Sequence, residues 1–313
     1  MSMELVEKVL AGDRLALARL VSRIENNGAE ARAALAALYP YTGRAHRVGV
    51  TGAPGTGKST LANEMAKAWR RQGQTVGIVA VDPTSPFSGG ALLGDRIRMR
   101  DLAGDPGVFI RSMATRGSLG GLARATSDAV KVLDAAGFDI VLIETVGAGQ
   151  SEVDIARTAH TVLVVEAPGF GDDVQAIKAG ILEIADILVV NKADQPGAEH
   201  TARTLRAMLD LGQARRSWQP PILKTVATEG QGVADVVEAV TRHRAYLETS
   251  GELARQERER VTAELHHLLR EALVVRWLRQ IPDGQVDAAI ERILAREVDP
   301  HTAVEELIAS VGG

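Results

Sequence analysis

Short apolar runs alternate with helix-like segments through the middle of this chain. Seven runs between residues 47 and 226 have the length and composition of buried strands. Strands of a parallel sheet are covered by helices on both faces, so they form continuous apolar runs. The pattern therefore predicts an α/β fold with one mostly parallel sheet and helices on both faces. The predicted strands are 48–51, 76–81, 108–111, 140–143, 162–165, 187–190 and 222–226.

Helical patterns flank this alternating region at both ends. Apolar residues recur at helical spacing before Pro40 and Gly43, which interrupt the pattern. A long charged run after residue 250 carries an apolar stripe, which could pack on the sheet or against a second subunit; periodicity favours neither. We predict an N-terminal helical segment at 1–43, the α/β domain at 44–250 and a C-terminal helical segment at 251–313.

Composition excludes several classes of function. The 313 residues have a formal net charge of −4 and only 3% aromatic residues, which argues against general binding of nucleic acid. No apolar run approaches the roughly 20 residues of a membrane helix. The chain has no Cys, which excludes disulfides and fits a reducing compartment. We expect a cytoplasmic protein without a membrane partner.

One motif between the first predicted strand and the next helix predicts a phosphate-binding loop. Residues 52–59 match G-x-x-x-x-G-K-[ST] in full, as Gly52, Ala53, Pro54, Gly55, Thr56, Gly57, Lys58 and Ser59. The glycines let the backbone curl around a phosphate at the helix N-terminus. Lys58 is predicted at the β- and γ-phosphates, Ser59 at Mg²⁺, and Thr60 as a cap or an α-phosphate contact.

A second motif predicts recognition of guanine. Asn191, Lys192, Ala193 and Asp194 follow an apolar strand directly, at the edge where α/β sheets bind ligands. A carboxylate such as Asp194 can accept from both N1–H and the 2-amino group of guanine, whereas adenine offers no such pair. Asn191 is predicted to orient the loop and contact the purine, and the Lys192 stem to cover its face. Val226 and Ala227, after the next strand, are predicted to place a backbone N–H near O6 of the base.

Carboxylates at two other strand ends predict a magnesium site. Glu144 and Gly147 form E-x-x-G where GTPases usually carry D-x-x-G, and we expect Glu144 to reach Mg²⁺ through water. The Gly147 N–H is predicted at the γ-phosphate. Asp82 ends another strand and Asp95 lies in the following Gly-rich loop, so both join Ser59 and Glu144 as candidate ligands.

The residues that assist hydrolysis are harder to predict. Gln150 lies three positions after the E-x-x-G glycine rather than directly after it, so we assign it no contact with an attacking water. Arg98, Arg111, Arg116 and Lys178 are available cations. We therefore expect slow intrinsic hydrolysis that a partner accelerates by ordering loops.

Several longer segments together resemble one known family. They include V-D-P-T-S at 81–85, S-G-G-A-L-L-G-D-R at 88–96 and F-I-R-S-M-A-T-R-G-S-L-G-G-L-A at 109–123, besides the two motifs at Glu144 and Asn191. The chain resembles the methylmalonyl-CoA mutase-associated GTPases of the MeaB/ArgK type, from its N-terminal helices to its C-terminal helices. This group shares a branch of P-loop GTPases with metallochaperone GTPases.

The resemblance implies a GTP-dependent chaperone of an adenosylcobalamin-dependent acyl-CoA mutase, with GTP or GDP and Mg²⁺ as ligands. It also implies a homodimer held partly by the C-terminal helices. By motif position, Asp172, Gln175 and Lys178 fall in an additional switch loop of the family, and Lys178 is its expected catalytic cation beside Lys58 and Glu144.

Two rival functions remain at this point. A metal-delivering GTPase would need Cys or clustered His, and the adjacent His266 and His267 lie about 100° apart on a helix. A P-loop kinase would need an acceptor domain, which the sequence does not reveal, and would not need Asp194.

Overall fold

A seven-stranded parallel sheet forms the centre of the molecule. The computed structural model describes residues 2–25, 28–83, 99–102, 104–115, 121–145, 151–169, 179–211 and 217–311. The strand order is β3-β2-β4-β1-β5-β6-β7, and every pairing is parallel. The predicted fold class and all seven predicted strands are confirmed, with small differences at the strand ends.

The elements follow the alternation that the sequence predicts. The strands are β1 (His46–Thr51), β2 (Val76–Pro83), β3 (Val108–Thr115), β4 (Ile140–Thr145), β5 (Thr161–Glu166), β6 (Ile187–Asn191) and β7 (Ile222–Thr225). The helices are α1 (Ser2–Leu10), α2 (Arg14–Glu25), α3 (Ala29–Leu38), α4 (Lys58–Arg71), α5 (Gly121–Ala135), α6 (Ser151–Thr158), α7 (Ala179–Glu183), α8 (Ala198–Leu211), α9 (Val233–Thr249), α10 (Glu252–Leu278), α11 (Gln285–Leu294) and α12 (Pro300–Val311). Short 3₁₀ segments occur at Tyr39–Tyr41, Arg100–Leu102 and Ala227–Glu229.

Helices cover both faces of the sheet. On one face α4 and α9 pack against the central strands, with Leu61, Met65 and Trp69 of α4 buried beside Val48 and Leu142. Every residue of β1, β4, β5 and β6 is buried, because these strands have helices above and below them. The central position of β1 places the loop that follows it in the crevice at the carboxyl edge of the sheet.

The N-terminal helices belong to the core on the other face. Leu5, Leu20 and Leu38, from α1, α2 and α3, are buried in one cluster with Leu133 of α5 and Val141 of β4. This cluster explains the apolar helical spacing before Pro40, because each of the three helices has a face to bury.

The chain divides into two compact units, Met1–Leu253 and Ala254–Gly313. In the second unit, α11 and α12 pack through Ala289 and Ala303 and are joined by an Arg292–Glu306 ion pair of 2.7 Å. All 27 residues of α10 are described, and none of them is buried. Of the helices that the structure describes, none has the length and apolarity that crossing a membrane requires.

Candidate functional site

The phosphate loop joins β1 to α4 and needs its glycines. Gly52, Gly55 and Gly57 have φ of 136°, 81° and 93°, which side chains rarely adopt. A Cβ at Gly52 would also overlap the carbonyl oxygen of Val165 in β5. The loop can therefore curl tightly over the sheet edge only with glycine at these positions.

Lys58 lies inside the curl of this loop. Its Nζ donates to the carbonyl oxygens of Gly52 and Ala53, both at 2.9 Å, and the side chain is buried. Thr56 closes the same turn, because its hydroxyl donates to Ala53 O at 2.9 Å. The ammonium group of Lys58 therefore lies at the N-terminus of α4. The helix N-terminus and the positive charge both favour the binding of an anion at this place.

Ser59 and Glu144 meet at this end of the sheet. The Ser59 hydroxyl donates to Glu144 Oε1, and the two residues are only 8% and 5% exposed. Glu144 is the register partner of Val50, so the strand pairing brings its carboxylate to the first turn of α4. A hydroxyl and a carboxylate are ligands that Mg²⁺ prefers, and the donor set therefore fits this ion.

Other predicted site residues are only partly placed. The backbone of Asp82 lies near the end of β2, and Val81 of that strand pairs with Thr145 of β4, so Asp82 comes to the same edge as Glu144. Asp95, Gly147 and Lys178 lie outside the described residues, as do Gln150, Arg98, Arg116, Asp172 and Gln175. Their roles stay predictions.

Asn191 links the guanine motif to the phosphate loop. Its Nδ2 donates to Thr56 O at 2.9 Å, and its Oδ1 accepts from Thr225 Oγ1 at 3.0 Å and from the Ala227 N–H at 3.1 Å. Gly57 lies so close that a Cβ there would overlap Nδ2 of Asn191. The sequence motif gave no indication of these three partners, and the predicted contact of Asn191 with the purine stays a prediction.

The next three residues, Lys192, Ala193 and Asp194, complete the guanine motif and are less buried than Asn191. Lys192 has φ 55°, a left-handed conformation that is uncommon outside glycine and occurs at functional turns. The Ala193 N–H donates to Thr225 O at 3.0 Å, which fixes the turn against β7. Asp194 is exposed, so its carboxylate is accessible to a ligand.

The backbone N–H groups that follow β7 donate hydrogen bonds to other groups of the chain. The Val226 N–H donates to Gln231 O at 3.1 Å, and the Ala227 N–H donates to Asn191 Oδ1. Both N–H groups that we predicted near O6 of guanine therefore have acceptors within the chain. The O6 contact stays a prediction.

Arg111, a candidate cation for hydrolysis, forms an ion pair with a carboxylate of the N-terminal helices. It pairs with Glu25 at the end of α2, and both side chains are largely buried. This ion pair ties the N-terminal helices to β3. Sequence reasoning could not find it, because the two residues are 86 positions apart.

Two further features lie apart from the phosphate loop. An open cavity of about 550 Å³ is lined by Ala193, Glu199, Lys224 and Asp235 among others, and includes neither Asn191 nor Asp194.

His266 and His267 are exposed on α10. In the part of the chain that the structure describes, no three His, Asp or Glu residues gather as metal ligands would.

The model of the family "Methylmalonyl Co-A mutase-associated GTPase MeaB" matches residues 17–281. The chain belongs to the MeaB family. It is a P-loop GTPase, a class of protein that binds guanine nucleotide, and in its structure Asn191 joins the guanine motif to the phosphate loop.

Individual MeaB relatives agree with this placement. A protein of Pyrococcus abyssi is 49% identical over 313 residues, covering 99% of this chain and 97% of the other. GTPase ArgK of Escherichia coli is 36% identical and covers 90% and 84%. The mitochondrial methylmalonic aciduria type A homolog of Mus musculus is 34% identical and covers 84% and 64%. The crystal structure of a protein named "LAO/AO transport system kinase" superposes with a TM-score of 0.76 at 26% identity, covering 100% and 98%.

Proposed function

We propose that this GTPase is a chaperone that protects, loads or reactivates an adenosylcobalamin-dependent acyl-CoA mutase. The observation that carries the proposal is the family match over residues 17–281, whose family is named for methylmalonyl-CoA mutase. The name of the mouse relative, which refers to methylmalonic aciduria, points to the same metabolism. Chemistry on the acyl-CoA belongs to the mutase, and this chain supplies GTP hydrolysis.

In this proposal, different residues bind different parts of GTP and its Mg²⁺. The phosphate loop offers backbone N–H groups to the phosphates, and Lys58 exchanges its two loop carbonyls for phosphate oxygens. Asp194 accepts from the Watson–Crick edge of guanine. Ser59 and Glu144 would hold Mg²⁺, with Asp82 and Asp95 as further candidates, and the ion would supply positive charge at the phosphates. Lys178 is the candidate cation that completes the site.

The working form is proposed to be a homodimer in the cytoplasm. Leu265, Leu269 and Leu273 recur every four residues along α10 and are 61%, 52% and 55% exposed. An apolar stripe of this length on a helix without buried residues fits a second copy of the same helix. The absence of Cys suits a reducing compartment.

The partnership is tested by mixing the purified chain with candidate mutases and measuring both complex formation and GTP turnover. We expect one adenosylcobalamin-dependent mutase to co-purify with the chain and to raise its GTP turnover. The control is Lys58→Ala, which should keep the mutase contact but lose the turnover. The proposal would be contradicted if no candidate mutase formed a complex with the chain and none changed its GTP turnover.

A phosphotransferase is the second candidate, because a solved structural neighbour is named as a kinase. Hydrolysis and transfer differ in the acceptor of the γ-phosphoryl group. Radiolabelled phosphate on a protein or small molecule, rather than free inorganic phosphate, would favour the kinase.

A further inference from the structure

The side-chain oxygen of Asn63, on α4, takes part in no hydrogen bond among the residues that the structure describes. Asn63 is only 5% exposed, and its Nδ2 donates to Glu64 Oε1 at 3.2 Å. The Glu64 carboxylate fixes this orientation of the amide, because a flipped amide would bring Oδ1 against it. A buried acceptor without a donor lowers stability, so this oxygen needs an explanation other than folding.

Asn63 lies on the side of α4 that begins at Ser59. The two residues are one helical turn apart, and the Cβ atoms of such a pair are about 5–6 Å from each other. Ser59 donates to Glu144 of β4. Two turns beyond Asn63 on the same side, Arg70 pairs with Asp105 in the segment before β3. Because β2 lies between β4 and β3 in the sheet, this side of α4 faces β2.

The sheet leaves a polar space on this side. Ala80 of β2 is the register partner of both Glu144 in β4 and Ser112 in β3. Residues in register point to the same face of a sheet, and the bond from Ser59 to Glu144 shows that this is the face toward α4. Ala80 has only a methyl group, so it leaves room between the carboxylate and the Ser112 hydroxyl. Ser112 Oγ is also buried and forms no hydrogen bond with a described residue, which is the setting of an ordered water.

The groups around this space suit the water ligands of a magnesium ion. Mg²⁺ keeps several waters when it binds to a protein, and each bound water donates hydrogen bonds that need acceptors. Asn63 Oδ1 is a buried acceptor one helical turn from Ser59, which together with Glu144 forms the donor set that fits the ion. A hydrogen bond to this oxygen would orient such a water and strengthen the site, as groups behind the ligands of a metal do.

We propose that Asn63 is a positioning residue of the magnesium site, whose amide oxygen accepts a hydrogen bond from a water bound to the ion. The inference rests on the magnesium site of the proposed function. It adds a residue that lies outside the phosphate loop, the guanine motif and E-x-x-G.

The test measures how far Mg²⁺ strengthens the binding of GDP. Calorimetry gives the dissociation constant of GDP in saturating Mg²⁺ and in EDTA, and the ratio of the two values is the coupling between ion and nucleotide. We expect Asn63→Leu, which keeps the size of the side chain and removes its oxygen, to reduce this coupling about tenfold. Asn63→Asp keeps an acceptor at this position and should not reduce it.

GDP affinity in EDTA separates this role from a structural one. Without the ion, Asn63→Leu should bind GDP like the parent chain, which also shows that the variant is folded. Thr126→Val is the matched control, because Thr126 of α5 is only 6% exposed and its hydroxyl likewise forms no hydrogen bond with a described residue. Since α5 packs on the opposite face of the sheet, the coupling should not change in this control.

Three results would overturn the inference. These are unchanged coupling in Asn63→Leu, an equal fall of the coupling in Asn63→Asp or in Thr126→Val, or a loss of GDP affinity in EDTA as large as the loss in Mg²⁺. Failure of the magnesium site itself would look different, because Mg²⁺ would then leave the GDP affinity of the parent chain unchanged, and the inference would fall with the site.

Discussion

Ser59 and Glu144 are 85 residues apart in the chain, yet the hydroxyl of one donates to the carboxylate of the other inside the molecule. The contact joins the first turn of α4 to the end of β4. It brings together a phosphate-loop residue and the acidic residue of E-x-x-G, as the placement of both motifs at the carboxyl edge predicts.

The first prediction concerns Glu144. We expect Glu144→Gln to lower GTP turnover about 10- to 100-fold and to raise the Mg²⁺ concentration needed for half-maximal rate, because an amide is a poorer support for the ion than a carboxylate. Glu144→Asp is the control, since it keeps the charge of the usual D-x-x-G motif. Turnover that is equal in all three proteins would remove Glu144 from the magnesium site.

A second prediction concerns Asp134, which connects α5 to the linker before β1. Its buried carboxylate accepts the backbone N–H groups of Gly43, Arg44 and Ala45 at 2.6, 3.0 and 2.9 Å. Asp134→Ala removes the acceptor of three backbone N–H groups, of which that of Ala45 is buried, and should lower the free energy of unfolding by about 2–4 kcal/mol. Urea unfolding measures it, and GDP affinity of the folded variant should not change. A loss below about 0.5 kcal/mol would contradict the importance of this contact.

A third prediction concerns acid stability. Burial lowers the pKa of His46 to about 2 and the pKa of His243 to about 4. Both accordingly stay neutral when folded, whereas the unfolded chain takes up protons below about pH 6.5. The unfolded state then binds more protons, so stability should fall by about 2–3 kcal/mol between pH 7.5 and 5.5 from these two groups.

The hydrogen bonds around Thr161 support the neutral forms. Its single hydroxyl proton can serve only one of His46 and His243, so the other ring must donate to it. His243 Nε2 lies 3.5 Å from Asp186 Oδ1, which favours a proton on Nε2 and leaves Nδ1 to accept from Thr161. Unfolding at several pH values should give a shallower pH dependence of stability for His243→Asn than for the parent chain. The same slope in both proteins would contradict the assignment.

A fourth prediction concerns α10. Leu269→Glu places a charge in the exposed apolar stripe and should convert a dimer into a monomer, as light scattering coupled to gel filtration can measure. Ala263→Glu is the control, because residue 263 is exposed about 120° around the helix from residue 269. A parent chain that is monomeric at micromolar concentration would refute the homodimer.

Much of the fold could be predicted because its signals are local. The glycines at 52, 55 and 57 and the apolar runs identify the phosphate loop and its flanking elements without knowledge of any distant contact. The position of Asp194 shortly after β6 was predictable in the same way, from the apolar strand that precedes it.

The partners within the site could not be predicted, because they depend on strand register and on helix packing. Nothing in the sequence around Asn191 says that Thr225 is its neighbour, since the order and alignment of β6 and β7 come only with the folded sheet. Arg111 has the charge that catalysis needs, but in the folded chain Glu25 of α2 holds it. The core that α1 to α3 share with α5 likewise depends on packing between distant segments.

Guanine selectivity at Asp194 is the most direct test of the central claim. Calorimetry on the folded chain should show tight binding of GDP and no comparable binding of ADP. Asp194→Asn should weaken GDP binding about 100-fold or more by removing two charge-assisted hydrogen bonds. Equal affinity for GDP and ADP, or an Asp194→Asn variant that binds GDP like the parent, would contradict the account.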